Sequence, residues 1–476
     1  MSIKQKVASG LKWSAFSKGV SQLVSWVVTI YVIRLLAPSD YGLMAMVSVV
    51  IAFLSTFNEF GLGTALIQSD KLDDEGIGAI FGAMLLMGAA LSALLALTSP
   101  WIAQFFREPE LQTLISIAGL QFLLNAATVV PESMLKRNMT FKPLSFADIT
   151  GVITGSLITL ALALNDFAVW SLVIGNLSGA VIRAGILIAF NPRRVRPNLR
   201  LRGASTFLSF GGYVTAARFV GYFISQADVL IGAKLLGKDA LGLYTVAMQL
   251  ASLPMDKAMS TVNQVAFSAI SRMQNHKHEM AQGLSKGIRW LAYLVFPAIY
   301  GLASVAPDFV PLVLGSNWTG AVLPLQLVAL VIPLRMVGAL LATANSGMGR
   351  ADVGFRNTLT GVVVLPACFL VGVQWGEVGL AAAWSVGVPI VFVLNFKRTS
   401  QVTGLTAGQL FGSIAHPLFS AVFMVLTLAL VRHALPATQP AWTTLALLIF
   451  TGATAYVSIA IAVDPQLRRE IRALKK

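Results

Sequence analysis

IGAIFGAMLLMGAALSALLALTSPWIA, residues Ile77–Ala103, contains no charged side chain. Coiled as an α-helix at 1.5 Å per residue it is about 40 Å long, more than the roughly 30 Å of hydrocarbon in a bilayer. Lipid offers backbone groups no hydrogen bonds, so a spanning segment must be a helix or part of a closed barrel. Barrel strands need about ten residues of strict alternation, and that pattern is absent. The stretch reads as a membrane-spanning helix.

Working outward, similar apolar runs recur from Trp13–Leu36 to Trp442–Val463, separated by short polar stretches. The chain is 56% apolar and only 12% charged, with a mean hydropathy of +0.76; a soluble domain carries about twice that share of charge. The expectation is an all-α, polytopic membrane protein of about fourteen transmembrane helices. No stretch is left for a soluble domain.

Lys and Arg set the orientation. With the N-terminus in the cytoplasm, the outer segments hold only Arg34, Arg107, Lys234, Lys238 and Arg432, and the inner ones five times as many. That is a positive-inside bias, and an even number of spans places both termini inside. The acidic stretch 70–75 (DKLDDE) falls inside as well, but acidic residues weigh little in this rule. The net charge of +15 is thereby explained by topology and by contact with anionic headgroups. Nucleic acid is excluded as a partner, since no recognition fold or aromatic platform accompanies the charge. The basic N-terminus lacks a small-residue cleavage site, so the first span reads as the insertion signal. Cys368 is the only cysteine, which rules out an intramolecular disulfide and a multi-cysteine metal site. His276 and His278 sit in a basic loop that reads as solvated, so no cofactor or metal is expected.

The chain repeats itself. Shifted by 200 residues, RLLAPSDYGL (Arg34–Leu43) falls on KLLGKDALGL (Lys234–Leu243), and Lys18 falls on Arg218. A second match, MLKRNMTFK (Met134–Lys142) on MGRADVGFR (Met348–Arg356), needs a shift of 214. Six spans separate the copies, so both halves run the same way through the membrane, a standard transporter plan with substrate bound between halves. The expected organisation is a six-helix lobe over 1–200, a second over 201–400, and two additional spans with a basic tail over 401–476.

Some spans carry polar stripes. Thr215, Arg218, Tyr222 and Ser225 follow helical steps of three and four, and Ser14, Lys18, Ser21 and Ser25 repeat them in the first span. The eighth expected span, Leu241–Ile270, has Gln249, Ser252, Asp256, Ser260 and Asn263, with Lys257 at its flank. Facing lipid, such stripes would be expensive, so they are expected to line a cavity or to bury against protein. Lys18 reads either as a cavity residue or as a snorkelling one. Asp256 beside Lys257 reads equally as an ion pair or a working group. Arg183 and Arg335 read as end-of-helix or structural charges. Glu59 and Asp228, with Asp256, are the carboxylates available for proton or sodium coupling.

At this point the residues resemble a family. DVLIGAKLLGKDALGLYTVAMQLASLP (Asp228–Pro254) is similar to the signature of the polysaccharide transporters, the bacterial O-antigen and exopolysaccharide flippases. These belong to the multidrug, oligosaccharidyl-lipid and polysaccharide exporter superfamily. EFGLGTALIQ (Glu59–Gln68), MLKRNMTFK and LGSNWTGAVLPLQLVAL (Leu314–Leu330) agree, and the colanic-acid-exporter-like branch is the nearest. Ser268 and Ala233 depart from the family's usual proline and arginine. The resemblance implies an inner-membrane flippase for an undecaprenyl-diphosphate-linked oligosaccharide, working by alternating access. Lys18 and Arg218 would then meet the diphosphate, and Ser25, Tyr222, Ser225, Gln249, Lys257 and Asn263 would complete the substrate-binding site. Membrane lipids and a glycan polymerase or export machinery would be its neighbours.

Two other functions compete with this one. A multidrug or cation antiporter shares the superfamily fold but calls for an acidic or aromatic cavity. A membrane glycosyltransferase, polymerase or ligase calls for a sizeable outer loop or an acidic metal motif, and the sequence has neither.

Overall fold

The computed structural model describes residues 19, 21–22, 24–58, 66, 74–191, 195–198, 221–223, 225–272, 277–436 and 439–474. Among the described residues all regular structure is helical, with no strand. Ten apolar segments of these residues are long enough to cross a membrane, and one of them, Ala351–Thr403, is two helices folded back on each other. Leu97, Leu430 and Phe450 each leave more than two-thirds of the residue open. Apolar surface on that scale, spread over many helices, is what a bilayer covers. The expected spans Trp13–Leu36 and Thr206–Leu236 lie partly outside the described residues. Leu241–Ile270 is helical within Lys238–Arg272 but too polar to stand among the ten.

The chain divides into two compact units, Met1–Gly242 and Leu243–Lys476. The first contains α1 (Val24–Leu35), α2 (Pro38–Asn58), α3 (Asp74–Phe106), α4 (Leu111–Arg137, broken at Gly119), α5 (Phe141–Ala163), α6 (Val169–Ala189) and α7 (225–235). The long α8 (Lys238–Arg272) begins in it.

Pairing inside this unit follows from small residues. α5 and α6 are joined by a short turn and run antiparallel, Gly151 against Gly179 and Gly155 against Gly175. A Cβ on Gly155 would stand 2.9 Å from the Gly175 carbonyl oxygen, and one on Gly179 would stand 2.7 Å from that of Gly151. With no hydrophobic force to drive helices together in lipid, close backbone approach of this kind is the main attraction. α3 packs on α4 in the same sense, through Gly88 against Ala126 and the Ser92 hydroxyl on the Gly119 carbonyl at 2.7 Å.

The first turns of α2 and α8, which the 200-residue repeat aligns, touch reciprocally. A Cβ on Gly42 would run into the Lys238 carbonyl, and one on Gly242 into the Pro38 carbonyl. Each contact is the other shifted by the repeat, and Gly42–Leu43 and Gly242–Leu243 were the matched pairs in sequence.

The second unit holds the rest of α8, then α9 (Lys277–Phe309), whose end widens into a π turn at Val310–Leu314. Gly315 turns the chain at φ 107°, and the buried Trp318 seats the following 3-10 turn. Then come α10 (Val322–Gly347), α11 (Ala351–Gly372), α12 (Gly376–Thr403), α13 (Ala407–Ala434), α14 (Ala441–Val463) and the short tail helix α15 (Pro465–Leu474). α11 and α12 form an antiparallel hairpin whose tip is closed by Gly372 against Gly379. A capping box between Thr406 and Gln409 starts α13.

Candidate functional site

Lys18, Glu59 and Arg218 lie outside the described residues, as do the side chains of Lys257 and Asn263 on α8. The remaining predicted residues fall in different surroundings. Tyr222 is buried, its hydroxyl donated to the Val49 carbonyl of α2 and its ring tilted over Phe53 at 5.5 Å. Ser225 returns its hydroxyl to the Tyr222 carbonyl, 2.9 Å away on its own helix, and Asp228 is buried one turn further along α7. Gln249 and Asp256 are exposed on α8.

Ser25 is the predicted residue that the first unit places in a polar cleft. With Tyr41, Asp148, Thr159, Asn176 and Arg183 it lines a space of about 520 Å³ between α1, α5 and α6. Arg183 is the centre of charge there. Its Nε donates to Asp148 Oδ1 and its Nη2 to Glu132 Oε2, both at 2.8 Å. The other oxygen of Glu132 takes Lys136 Nζ at 2.6 Å. Two carboxylates and two cations from α4, α5 and α6 therefore cancel, which makes partly desolvated charge tolerable at this depth. A guanidinium has five donors, and the bonds to Asp148 and Glu132 engage two of them. Arg183 keeps a partly open side chain beside hydroxyl and amide groups suited to a sugar or a phosphate.

The second unit has a cationic centre of its own. The Arg335 guanidinium of α10 lies 4.5 Å from the centroid of the Trp384 ring on α12, a cation–π geometry. Trp384 Nε1 donates to the fully buried Tyr244 hydroxyl at 2.7 Å, which fixes the indole plane. Arg335 Nη1 also approaches Met248 Sδ at 3.6 Å, so the arginine reaches the α8 stripe next to Gln249.

Arg183 and Arg335, read from sequence as structural charges, both make structural contacts, and of the two Arg183 also lines a polar cleft. Glu132 and Asp148 had not been singled out. One signal for them was available: Asp148 and Arg183 lie within one residue of equal distance from the α5–α6 turn, one position off the register of the glycine pairs.

Residues 31–323 match the model of the family described as polysaccharide biosynthesis protein. The chain belongs to that family. The lipopolysaccharide biosynthesis protein WzxC of Escherichia coli (strain K12) is 25% identical over 398 residues, covering 83% of this chain and 80% of WzxC. The teichuronic acid biosynthesis protein TuaB of Bacillus subtilis (strain 168) is 26% identical over 481 residues, 99% of this chain and 98% of TuaB. Among solved structures, the lipid II flippase MurJ in an inward closed conformation shares the fold. The TM-score is 0.75 at 14% identity, with 94% of this chain and 99% of MurJ covered. The family match takes in the whole Arg183 network and stops before Arg335.

Proposed function

We propose that this chain is a flippase that moves a lipid-linked oligosaccharide across the bacterial inner membrane. It works by alternating access between two six-helix lobes, 1–200 and 201–400, with the helices of 401–476 outside the repeat. One observation carries the reading: a polysaccharide biosynthesis family spans more than half of a chain whose fold matches a lipid II flippase nearly end to end. Its chemistry agrees. An undecaprenyl-diphosphate head group needs positive partners where water is scarce, and arginine offers a fork that fits phosphate. Arg183 and Arg335 support this in the described residues, and Lys18 and Arg218 are the repeat-related pair proposed for the diphosphate itself. The lipid tail stays in the bilayer while Ser25, Tyr222, Ser225, Gln249, Lys257 and Asn263 attend the head group. Glu59, Asp228 or Asp256 couples movement to a proton or sodium ion. Both termini are cytoplasmic by the charge bias, within reach of polymerase or export partners.

The test is reconstitution in proteoliposomes with a fluorescent lipid-linked oligosaccharide and, separately, a lipophilic cation. Accelerated appearance of the glycolipid in the opposite leaflet is expected, without cation export. Cation export with no glycolipid movement would instead favour the antiporter of the same superfamily.

A further inference from the structure

At one end of the second unit, three helices turn polar faces toward a common pocket of about 630 Å³. α9 contributes Gln282, Ser285, Lys286 and Arg289, at steps of three, one and three that keep all four on one face. α13 adds Gln409 and Ser413, and the tail helix adds Gln466, Arg469 and Glu470. None of these residues belongs to the polar stripes of the transport site.

The pocket is built, because its floor is pinned. Asp464, only 1% exposed, holds Arg289 Nη2 at 2.9 Å and accepts the Tyr293 hydroxyl at 2.6 Å. Its other oxygen accepts the Gln466 and Leu467 backbone N–H groups at 2.8 and 3.1 Å, capping the tail helix. Arg289 Nη1 also donates to Gln466 Oε1, and Ser285 and Ser413 share a hydrogen bond at 2.5 Å.

The rim has unmet charge. Lys286 and Arg469 have no ion pair among the described residues, and Glu470 Oε2 is buried there without a hydrogen-bond partner. Three cations (Lys286, Arg289 and Arg469) face two carboxylates, leaving one positive charge unmatched. Next to Arg289 on α9, Trp290 is an open aromatic side chain. An exposed Trp next to a cationic rim marks the level where headgroups meet acyl chains.

We infer that this pocket holds the phosphodiester headgroup of a membrane phospholipid. The single negative charge of the diester matches the one unmatched cation, with Lys286 and Arg469 as its donors. A hydroxyl or ammonium on the headgroup alcohol would donate to Glu470 Oε2. The acyl chains would enter the bilayer past Trp290. The assignment stands apart from the glycolipid reading and does not depend on it.

The test uses the full chain in detergent and reads bound lipid by native mass spectrometry. The probes are phosphatidylglycerol, diacylglycerol and inorganic phosphate. Phosphatidylglycerol should bind at least about tenfold more tightly than diacylglycerol. The exposed pair Lys286→Gln and Arg469→Gln together should lower that affinity by about tenfold or more, one tenfold step being about 1.4 kcal/mol. Lys397→Gln, an exposed cation elsewhere on this unit, should leave it unchanged. Equal binding by the double variant, or displacement of the lipid by millimolar inorganic phosphate alone, would overturn the assignment.

Discussion

Replacing Asp464 by alanine should free the tail helix without unfolding the bundle. The carboxylate serves two structures: through Oδ1 it caps α15, and through Oδ2 it holds Arg289 and Tyr293 of α9. Loss of an N-cap costs about 1 kcal/mol. Removing one member of a buried ion pair costs about 3–5 kcal/mol. Here Arg289 remains 13% exposed and retains Gln466, so the ion-pair loss is discounted to about 2 kcal/mol. A combined effect of about 3 kcal/mol on tail docking follows, or roughly a hundredfold faster amide hydrogen exchange across 466–474. Asp464→Asn keeps the cap acceptor and loses the charge, so it should speed exchange only about tenfold. Acidity should act in the same direction. Burial raises the Asp464 carboxyl, but the Tyr293 hydroxyl, the Leu467 and Gln466 N–H groups and the Arg289 charge together hold it below its ordinary 3.8. A depressed carboxyl contributes stability above 3.8 that fades only as pH falls through the lower folded value. The tail should therefore stay docked at neutral and mildly acidic pH. Less than a threefold change in exchange for Asp464→Ala, or equal losses for Ala and Asn, would show that Asp464 does not dock the tail in this way.

Gly155→Val should force α5 and α6 apart and cost about 1–3 kcal/mol, seen as a lower melting temperature in detergent; an unchanged melt would remove the close approach as a source of stability. Gly42→Ala and Gly242→Ala meet repeat-equivalent carbonyls, so their melting temperatures should fall by similar amounts, and a marked inequality would count against the reciprocal crossing. Arg218→Ala should weaken head-group binding by about 2–5 kcal/mol, with Arg218→Lys a partial rescue; wild-type surface glycan from a normally inserted Arg218→Ala would make the residue structural. Among Glu59→Gln, Asp228→Asn and Asp256→Asn, one should abolish the gradient dependence of flux in proteoliposomes; equal dependence in all three and wild type would end the coupling role.

Much of the fold was legible because lipid enforces it. An uncharged run such as Ile77–Ala103 has few conformations open to it, and α3 occupies Asp74–Phe106 as that run requires. The helix ends were less legible. α11 begins at Ala351, well before the apolar run that opens at Leu359, because Arg356 and Asn357 are held by Arg398 of α12. Hydropathy marks where hydrocarbon ends, whereas helices continue into the polar zone when side chains bridge them. The candidate site was harder still. Asp148 and Arg183 are 35 positions apart and become partners only through the register of one hairpin. The importance of Asp464 comes from Arg289 and Tyr293, brought to it from far earlier in the chain.

The glycine seam between α5 and α6 has a consequence for how the protein is made. All of its contacts lie within a single hairpin closed by a short turn, so nothing synthesised later is required to form it. Local contacts of that kind assemble early because little loop entropy opposes them. The two helices can therefore leave the translocation machinery already joined, as one unit two helices wide. Asp148 and Arg183 are neutralised in the same step, before either has to meet lipid as an isolated charge.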